Sequence, residues 1–586
     1  MTMPNFLPFA WKNVNQLWAY ILTETLKRLG LSYVVICPGS RSTPLVVAFV
    51  QQIPDIEVIS VLDERSAAFF ALGRAKATGL PVALVCTSGT AAANFYPAII
   101  EAQESRIPLL ILTSDRPQEL RNCHSGQTID QVKLYGNYPN WQTELAIPAP
   151  DMGMLGYLRQ MLIHAWERCQ TPTPGPVHLN IPFRDPLAPI PDRIDLNDLQ
   201  SQFQPEAFFA GIAHILPVPH ASFPLPCEWL TSSRGIIIAG VAQPQKPEKY
   251  CQAIARLAQI LQWPVLAEGL SPVRNYASLN PYLISTYDII LRNQQLAQEL
   301  TPEIVIQIGD MPTSKELRQW LSTNTPQRWI IDPSYENLDP LHGKTRHLRI
   351  AVEDIDNWES VQTEPGIYLK KWCEIESQVR KNIDEKLVNI EEIIESKAAW
   401  LISQTLPPGT PIFISNSMPV RDVEFFWQPN DLQIKPYVNR GANGIDGILS
   451  TALGIAHHQP SSVMLTGDLA LLHDTNGFLI KDKFAGHLTI ILINNNGGGI
   501  FEMLPIAQFD PPFEEFFATP QNIDFAQLCA TYQVQHELIQ SWEQLTEKLQ
   551  TLPNTGIRVL EIRTNRKTDA AWRKKNLNKF AHHITT

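Results

Sequence analysis

Short apolar runs rich in β-branched residues recur along the chain, and each leads through turn residues into a stretch with helical spacing. The first group is Tyr33–Cys37, Val58–Leu62, Val82–Cys86 and Pro108–Ser114, and it closes near Val177–Leu187. Runs that are apolar at every position, not at alternate ones, predict strands covered on both faces, as in a parallel sheet wrapped by helices. A Pro-rich stretch from Pro189 to Pro226 has little periodicity and reads as a linker. The alternation resumes at Arg234–Gly240 and continues through Trp263–Gly269, Glu303–Asp310 and Arg328–Pro333 to about residue 350. From Leu369 to Leu406 the chain is charged and helix-periodic, which predicts one or two solvent-facing helices with i,i+4 charge pairs. A third group runs from Pro411–Ser417 through Val463–Asp468 and Leu488–Gly499 to Ile557–Ile562. The basic tail Arg566–Lys579 reads as a solvated helix or frayed end.

The predicted fold is therefore α/β, with three doubly wound parallel-sheet domains. Their expected bounds are 1–188, then 189–360 including the linker, connecting helices over 361–406, and 407–586. No short-period repeat interrupts this pattern. A length of 586 residues agrees with several cores, since single domains usually hold about 100–200 residues.

Composition narrows the function classes. The chain is 44% hydrophobic and 18% charged, as expected for a globular protein. A net charge of −11 argues against a general binder of nucleic acid or anionic membrane, because both need a basic field. No stretch approaches the roughly 20 apolar residues of a membrane helix, and no leader is evident at the N-terminus. The eight cysteines are scattered without a CxxC pair, which fits reduced thiols in small buried positions and a cytoplasmic location.

Candidate chemistry lies at the ends of the predicted strands, where open α/β sheets bind ligands. One strand ends in Gly467-Asp468, and the next ends in Asn494-Asn495-Asn496-Gly497-Gly498-Gly499. The separation is that of a strand–helix–strand unit, about 30 residues, so the two ends lie side by side. The Asp468 carboxylate, the Asn495 side-chain oxygen and a backbone carbonyl then supply hard oxygen ligands of the kind Mg²⁺ takes together with phosphate and water. The glycines allow close backbone approach to a phosphate. This pair resembles the GDG-to-NN signature of thiamine-diphosphate (ThDP) enzymes, with Leu469 at the third position in place of Gly. In the N-terminal part, Glu64 follows a strand end. The resemblance implies that its carboxylate contacts the cofactor aminopyrimidine, whose imino form then removes the thiazolium proton.

Further motifs sharpen the resemblance. They are Cys37-Pro38-Gly39-Ser40-Arg41-Ser42-Thr43-Pro44, Thr87-Ser88-Gly89-Thr90, Ser114-Asp115-Arg116-Pro117, Asn416-Ser417-Met418-Pro419-Val420-Arg421, Asn439 to Gly447, and Asn494 to Phe501. Together the chain resembles the 2-succinyl-5-enolpyruvyl-6-hydroxy-3-cyclohexene-1-carboxylate (SEPHCHC) synthase family. The resemblance implies a transferase of menaquinone or phylloquinone biosynthesis, with ThDP and Mg²⁺ or Mn²⁺ as cofactors. It would decarboxylate 2-oxoglutarate and add the succinyl-semialdehyde unit to isochorismate in 1,4 fashion, giving SEPHCHC and CO₂.

The resemblance also implies pyrimidine-binding, central and diphosphate-binding domains, with active sites between subunits of a homodimer or homotetramer. Ser417 and Arg421 are implied for the 2-oxoglutarate side, and Ser40, Arg41, Arg116, Gln127 and Arg440 for isochorismate. Arginine suits such dicarboxylates because it binds them bidentately and stays charged when partly buried. Gly444, Ile445, Gly467, Asp468, Leu469, Asn495, Gly497 and Gly498 would hold the cofactor, with Ile445 propping its V shape. Phe501 and Leu504 would line an apolar wall. Lys315 would reach the second substrate from the central domain. Family members often place a second basic residue beside it, where this chain has Glu316 unless Arg318 serves instead. No GxGxxG follows Arg234–Gly240, so no dinucleotide is expected in the middle. Two other readings stay open: a different ThDP lyase or carboligase, and a non-catalytic ThDP-binding or assembly protein.

Overall fold

The computed structural model describes residues 11–212, 223–355, 365–582 and 584. The first ten residues, part of the Pro-rich stretch (213–222) and the expected 360/361 boundary lie outside them.

Three six-stranded sheets form, and every recorded strand pair is parallel. The first holds β1 (Tyr33–Ile36), β2 (Glu57–Ser60), β3 (Val82–Cys86), β4 (Leu109–Asp115), β5 (Trp141–Glu144) and β6 (Pro176–Pro182), ordered β2-β1-β3-β4-β6-β5. The second holds β7 (Gly235–Ala239), β8 (Val265–Ala267), β9 (Leu283–Ile284), β10 (Ile304–Ile308), β11 (Gln327–Ile331) and β12 (Lys344–Leu348), ordered β12-β11-β10-β7-β8-β9. The third holds β13 (Pro411–Ile414), β14 (Lys435–Tyr437), β15 (Ser462–Gly467), β16 (His487–Asn494), β17 (Gln535–Leu538) and β18 (Gly556–Arg563), ordered β14-β13-β15-β16-β18-β17. The first and third sheets thus share one strand order. The middle sheet has the order of a dinucleotide-binding fold without its glycine fingerprint. The inner strands β3, β4, β7 and β10 are buried along their whole length, as expected when helices cover both faces.

The chain divides into two compact units. One is built on the N-terminal residues together with Asn439–His457 and Asp474–Phe484, and the other carries the second and third sheets. Two segments of the expected C-terminal domain therefore pack with the first sheet's unit.

Three expectations need correction. Part of the stretch read as linker is structured. Leu196, Phe203, Phe208 and Phe209 join the first core, and Gln200 donates to the Trp11 carbonyl (3.0 Å). Four large apolar anchors outweigh the helix-breaking prolines around them. Second, the helices Ile367–Val388 and Glu395–Thr405 are not simply solvent-facing. The first buries Trp372, Ile375, Val379, Ile383 and Leu387 along one stripe. The second is buried over most of its length, polar residues included. Third, the basic tail forms the helix Arg566–Asn576 and is neither frayed nor wholly solvated. Its Arg573 is only 1% exposed and is paired with Glu395 and Asp422, both at 2.6 Å. Of the eight free cysteines, Cys123 and Cys227 are exposed and Cys373 is half-buried, while the other five are buried as expected.

Candidate active site

In the N-terminal unit the strand ends gather the motif residues. Arg41, beyond β1, is almost fully buried; its backbone N–H donates to Thr87 Oγ1 (3.1 Å) and its guanidinium to the Phe183 carbonyl (2.9 Å). Gly39 is needed here, because a Cβ would lie 2.3 Å from the Thr87 side chain. Arg116, beyond β4, donates to Ser88 Oγ (3.2 Å) and the Gly126 carbonyl (3.1 Å). Gln127 closes the group: its amide donates to the Ser88 carbonyl (3.0 Å), and Ser88 Oγ donates back to the Gln127 carbonyl (3.0 Å). Residues beyond β1, β3, β4 and β6 therefore meet. Burial, and then the charge of Arg116, push the Arg41 guanidinium below its ordinary value. Asp185 approaches Arg41 only to 3.7 Å and is itself largely exposed. Two neighbouring guanidiniums so placed can accept an anionic ligand. Ser40 is exposed at the mouth of this group.

Glu64 is the first residue of the helix Glu64–Thr78. Capping falls to Asp63, which accepts from the Arg65 N–H (2.9 Å). Arg65 and Asn476 also grip Asp63 and hold its carboxyl at about 2, well below the usual range. The Glu64 side chain is thus left half-buried, with no hydrogen bond to another described side chain. Burial first, then the charges of Glu64 and Asp63, push the Cys37 thiol up.

The Glu64 helix is fixed against the helix Ile448–Ala456 by close backbone contact. A Cβ on Gly73 would lie 2.0 Å from the Thr451 carbonyl oxygen, and one on Gly454 would lie 2.1 Å from that of Phe70. The loop before that second helix donates through the N–H groups of Gly441 (3.0 Å) and Ala442 (2.7 Å) to the buried carboxylate of Glu101. Arg440, Gly444 and Ile445, all half-buried, belong to this N-terminal unit.

The other unit holds the remaining candidates. Ser417, beyond β13, has a positive φ of 70° and leads into the helix Met418–Phe426. Strain of this kind in a non-glycine residue concentrates at ligand sites. Arg421 folds back one turn and donates to the Ser417 carbonyl (2.6 Å). Asp468 follows Gly467 at the end of β15 and accepts from the N–H groups of Leu469 (2.8 Å) and Gly497 (2.9 Å). Burial pushes its carboxyl up to about 6. Asn495 follows β16; its Nδ2 donates to Glu395, while its Oδ1 is buried with no hydrogen-bond partner among the described residues. Gly497 has a φ of 140°, and a Cβ there would lie 2.3 Å from the Ala518 carbonyl oxygen. A Cβ on Gly498 would strike the Phe517 carbonyl and the Phe501 ring. An unpartnered buried oxygen beside a desolvated carboxylate fits a divalent cation, since buried acceptors otherwise find donors.

Phe501 is half-buried and packs edge-on against Phe517 (5.8 Å), whereas Leu504 is 46% exposed. Lys315 is exposed at the start of the helix Lys315–Asn324. Glu316 beside it faces Arg292 at 3.8 Å, and Arg292 also holds Asp288 at 2.9 Å. Where the second basic residue is missing, Glu316 thus meets Arg292, which is already paired with Asp288. Sequence reasoning passed over Ser88, Glu395 and Arg573. Ser88 lay inside a quoted motif, but nothing local marked the other two.

Comparison with known proteins gives the class of protein. Residues 18–134 match the thiamine pyrophosphate enzyme N-terminal TPP-binding domain, and residues 226–414 match the middle domain of thiamine pyrophosphate enzymes. The fold and the matched domains are those of a ThDP-dependent enzyme. SEPHCHC synthase of Trichormus variabilis is 72% identical over 98% of this chain and 99% of its own length. The same-named proteins of Gloeothece citriformis and Crocosphaera subtropica are 64% and 55% identical, each over 97% of this chain and 99% and 98% of their own. The chain belongs to the SEPHCHC synthase family.

Proposed function

We propose that the chain decarboxylates 2-oxoglutarate and adds the resulting four-carbon unit to isochorismate, giving SEPHCHC and CO₂ in menaquinone or phylloquinone biosynthesis. The observation that carries the choice of acceptor is the buried Arg41 beside the half-buried Arg116 and the exposed Gln127, a recess for an anion beyond the strand ends of the unit that holds Glu64. A simple 2-oxo-acid lyase has no use for it. Bound ThDP supplies the carbon nucleophile and the electron sink for decarboxylation. Glu64 holds the proton shared with the aminopyrimidine, and its freedom from capping leaves the carboxylate available. Ser417 and Arg421 orient 2-oxoglutarate through its carboxylate. Ser40, Arg41, Arg116, Gln127 and Arg440 receive isochorismate, with Lys315 contributing from the central sheet. Mg²⁺ or Mn²⁺ is held by Asp468, Asn495 and the Gly497 carbonyl. Gly444, Ile445, Gly467, Leu469 and Gly498 shape the cofactor cradle, and Phe501 and Leu504 line its apolar side.

The proposed division is a pyrimidine-side domain 1–188, a Pro-rich segment with the central domain over 189–360, connecting helices 361–406 and a diphosphate-side domain 407–586. The proposed assembly is a cytoplasmic homodimer or homotetramer with active sites between subunits. Among the described residues no helix is long and apolar enough to cross a membrane.

The test is an assay with ThDP and Mg²⁺ in which 2-oxoglutarate is supplied with and without isochorismate. Consumption of both, with a product carrying the four-carbon unit, is expected. CO₂ release with isochorismate untouched would move the chain to the general carboligases.

A further inference from the structure

The buried side of Asn495 carries a second layer of organisation. Its Nδ2 donates to Glu395 Oε1 at 2.5 Å. Glu395 begins the helix Glu395–Thr405, and its backbone N–H is held by Asp569 (3.0 Å). Its other oxygen accepts from Arg573 Nη2 (2.6 Å), and the same guanidinium donates to both oxygens of Asp422 (2.9 and 2.6 Å). Glu395, Asp422, Asp569 and Arg573 are all nearly inaccessible.

This arrangement bears on a choice that the Asn495 side chain cannot make alone. The oxygen and the NH₂ of a carboxamide are nearly the same size, but only the oxygen can ligate a cation. A carboxylate can only accept, so Glu395 takes the NH₂ and turns Oδ1, the unpartnered acceptor, the other way.

We propose that Glu395 is a positioning residue for the metal-binding amide of Asn495, held in place by Arg573 of the tail helix. The proposal rests on the reading of Asn495 as a metal ligand. In Glu395→Gln, Arg573 draws the new amide's oxygen, so its NH₂ faces Asn495 and inverts that amide. Glu395→Asp keeps the charge but withdraws the carboxylate by one methylene.

The experiment measures ThDP retained in equilibrium dialysis as Mg²⁺ is raised, on the full chain, with the thermal midpoint in the absence of both as a check on folding. Glu395→Gln and Glu395→Asp should each raise the half-saturating Mg²⁺ about 10–100-fold, the range for residues that orient metal ligands. Glu395→Asp preserves the buried charge balance and carries the test if the Gln variant does not fold. A purely electrostatic role predicts that Glu395→Asp leaves Mg²⁺ dependence unchanged, and that result overturns the proposal. Asn495→Ala separates the two levels. If it loses Mg²⁺-dependent retention while both Glu395 variants keep it, the positioning role is wrong. If it too keeps wild-type retention, the metal assignment fails and the proposal with it.

Discussion

Asp474→Asn removes the carboxylate buried between the helix that begins at Glu64 and the helix Ile448–Ala456. Asp474 accepts from the Ser450 N–H (2.6 Å), Ser450 Oγ (2.9 Å) and Ser66 Oγ (3.1 Å). Burial first, opposed by these hydrogen bonds, moves its carboxyl from an ordinary 3.8 up to about 6. The folded-state value is the higher one, so the proton favours folding. The contribution is complete below about 3.8, shrinks as pH rises and is gone above about 6. At about 1.4 kcal/mol per pH unit this is on the order of 3 kcal/mol, of which about 2 falls between roughly pH 4.5 and 7.5.

Asparagine mimics the protonated form at every pH. Its oxygen can accept from the Ser450 N–H, and its NH₂ can donate to the two hydroxyls, which rotate to accept. The assay is calorimetric melting of both proteins at the two pH values. The variant's midpoint should rise relative to wild type by about 4–8 °C between pH 4.5 and 7.5, taking about 2–4 °C per kcal/mol for a unit of this size. An equal separation at both pH values would refute the reasoning, because the buried carboxylate would then carry no proton-linked cost.

The remaining expectations concern the site. Glu64→Gln should keep the melting midpoint and ThDP retention but lose at least about 100-fold in turnover, as for loss of a proton-transfer group; near-normal turnover removes Glu64 from its role. Arg421→Ala should raise the KM for 2-oxoglutarate about 10–100-fold, the equivalent of a charged hydrogen bond worth about 1.5–3 kcal/mol. A change confined to isochorismate would reverse the division of the arginines. Gly497→Ala places a Cβ 2.3 Å from the Ala518 carbonyl oxygen at a φ of 140°, so ThDP retention at fixed Mg²⁺ should fall at least tenfold. Retention equal to wild type would mean that this loop does not hold the cofactor.

Most of the fold was legible because the inner strands are buried on both faces and so read as unbroken apolar runs. The five strands that escaped are β5, β9, β12, β14 and β17, and every one lies at a sheet edge. The strands Trp141–Glu144, Lys344–Leu348 and Gln535–Leu538 are largely half-exposed, and their sequences carry Gln, Thr, Lys, Arg, His and Glu where an inner strand carries Val or Ile. The candidate site was legible for a related reason. Its residues follow strand ends, so each motif is local even though the site is not. The contacts that bring Arg41, Arg116 and Gln127 to one place join residues far apart in the chain but all within quoted motifs or close behind one. Glu395 and Arg573 had no such marker. Each sat in a charged stretch that periodicity assigns to solvent, and only the packing of the tail helix makes them a buried pair. The same packing explains why the tail's basic character was misread: Arg566 and Arg573 are buried, and Lys567, Lys574 and Lys575 are the exposed ones.

The tail helix also bears on the order in which the protein can be made. Glu395 and Asp422 leave the ribosome well before Arg573, and N-terminal parts of a growing chain fold first. Until the tail docks, two carboxylates destined for the interior have no counter-ion, and burying an unpaired charge is strongly unfavourable. Closing the region around them before Arg573 has been synthesised therefore carries that cost. The docking of one late helix completes the charge balance of a region whose other members are synthesised long before it.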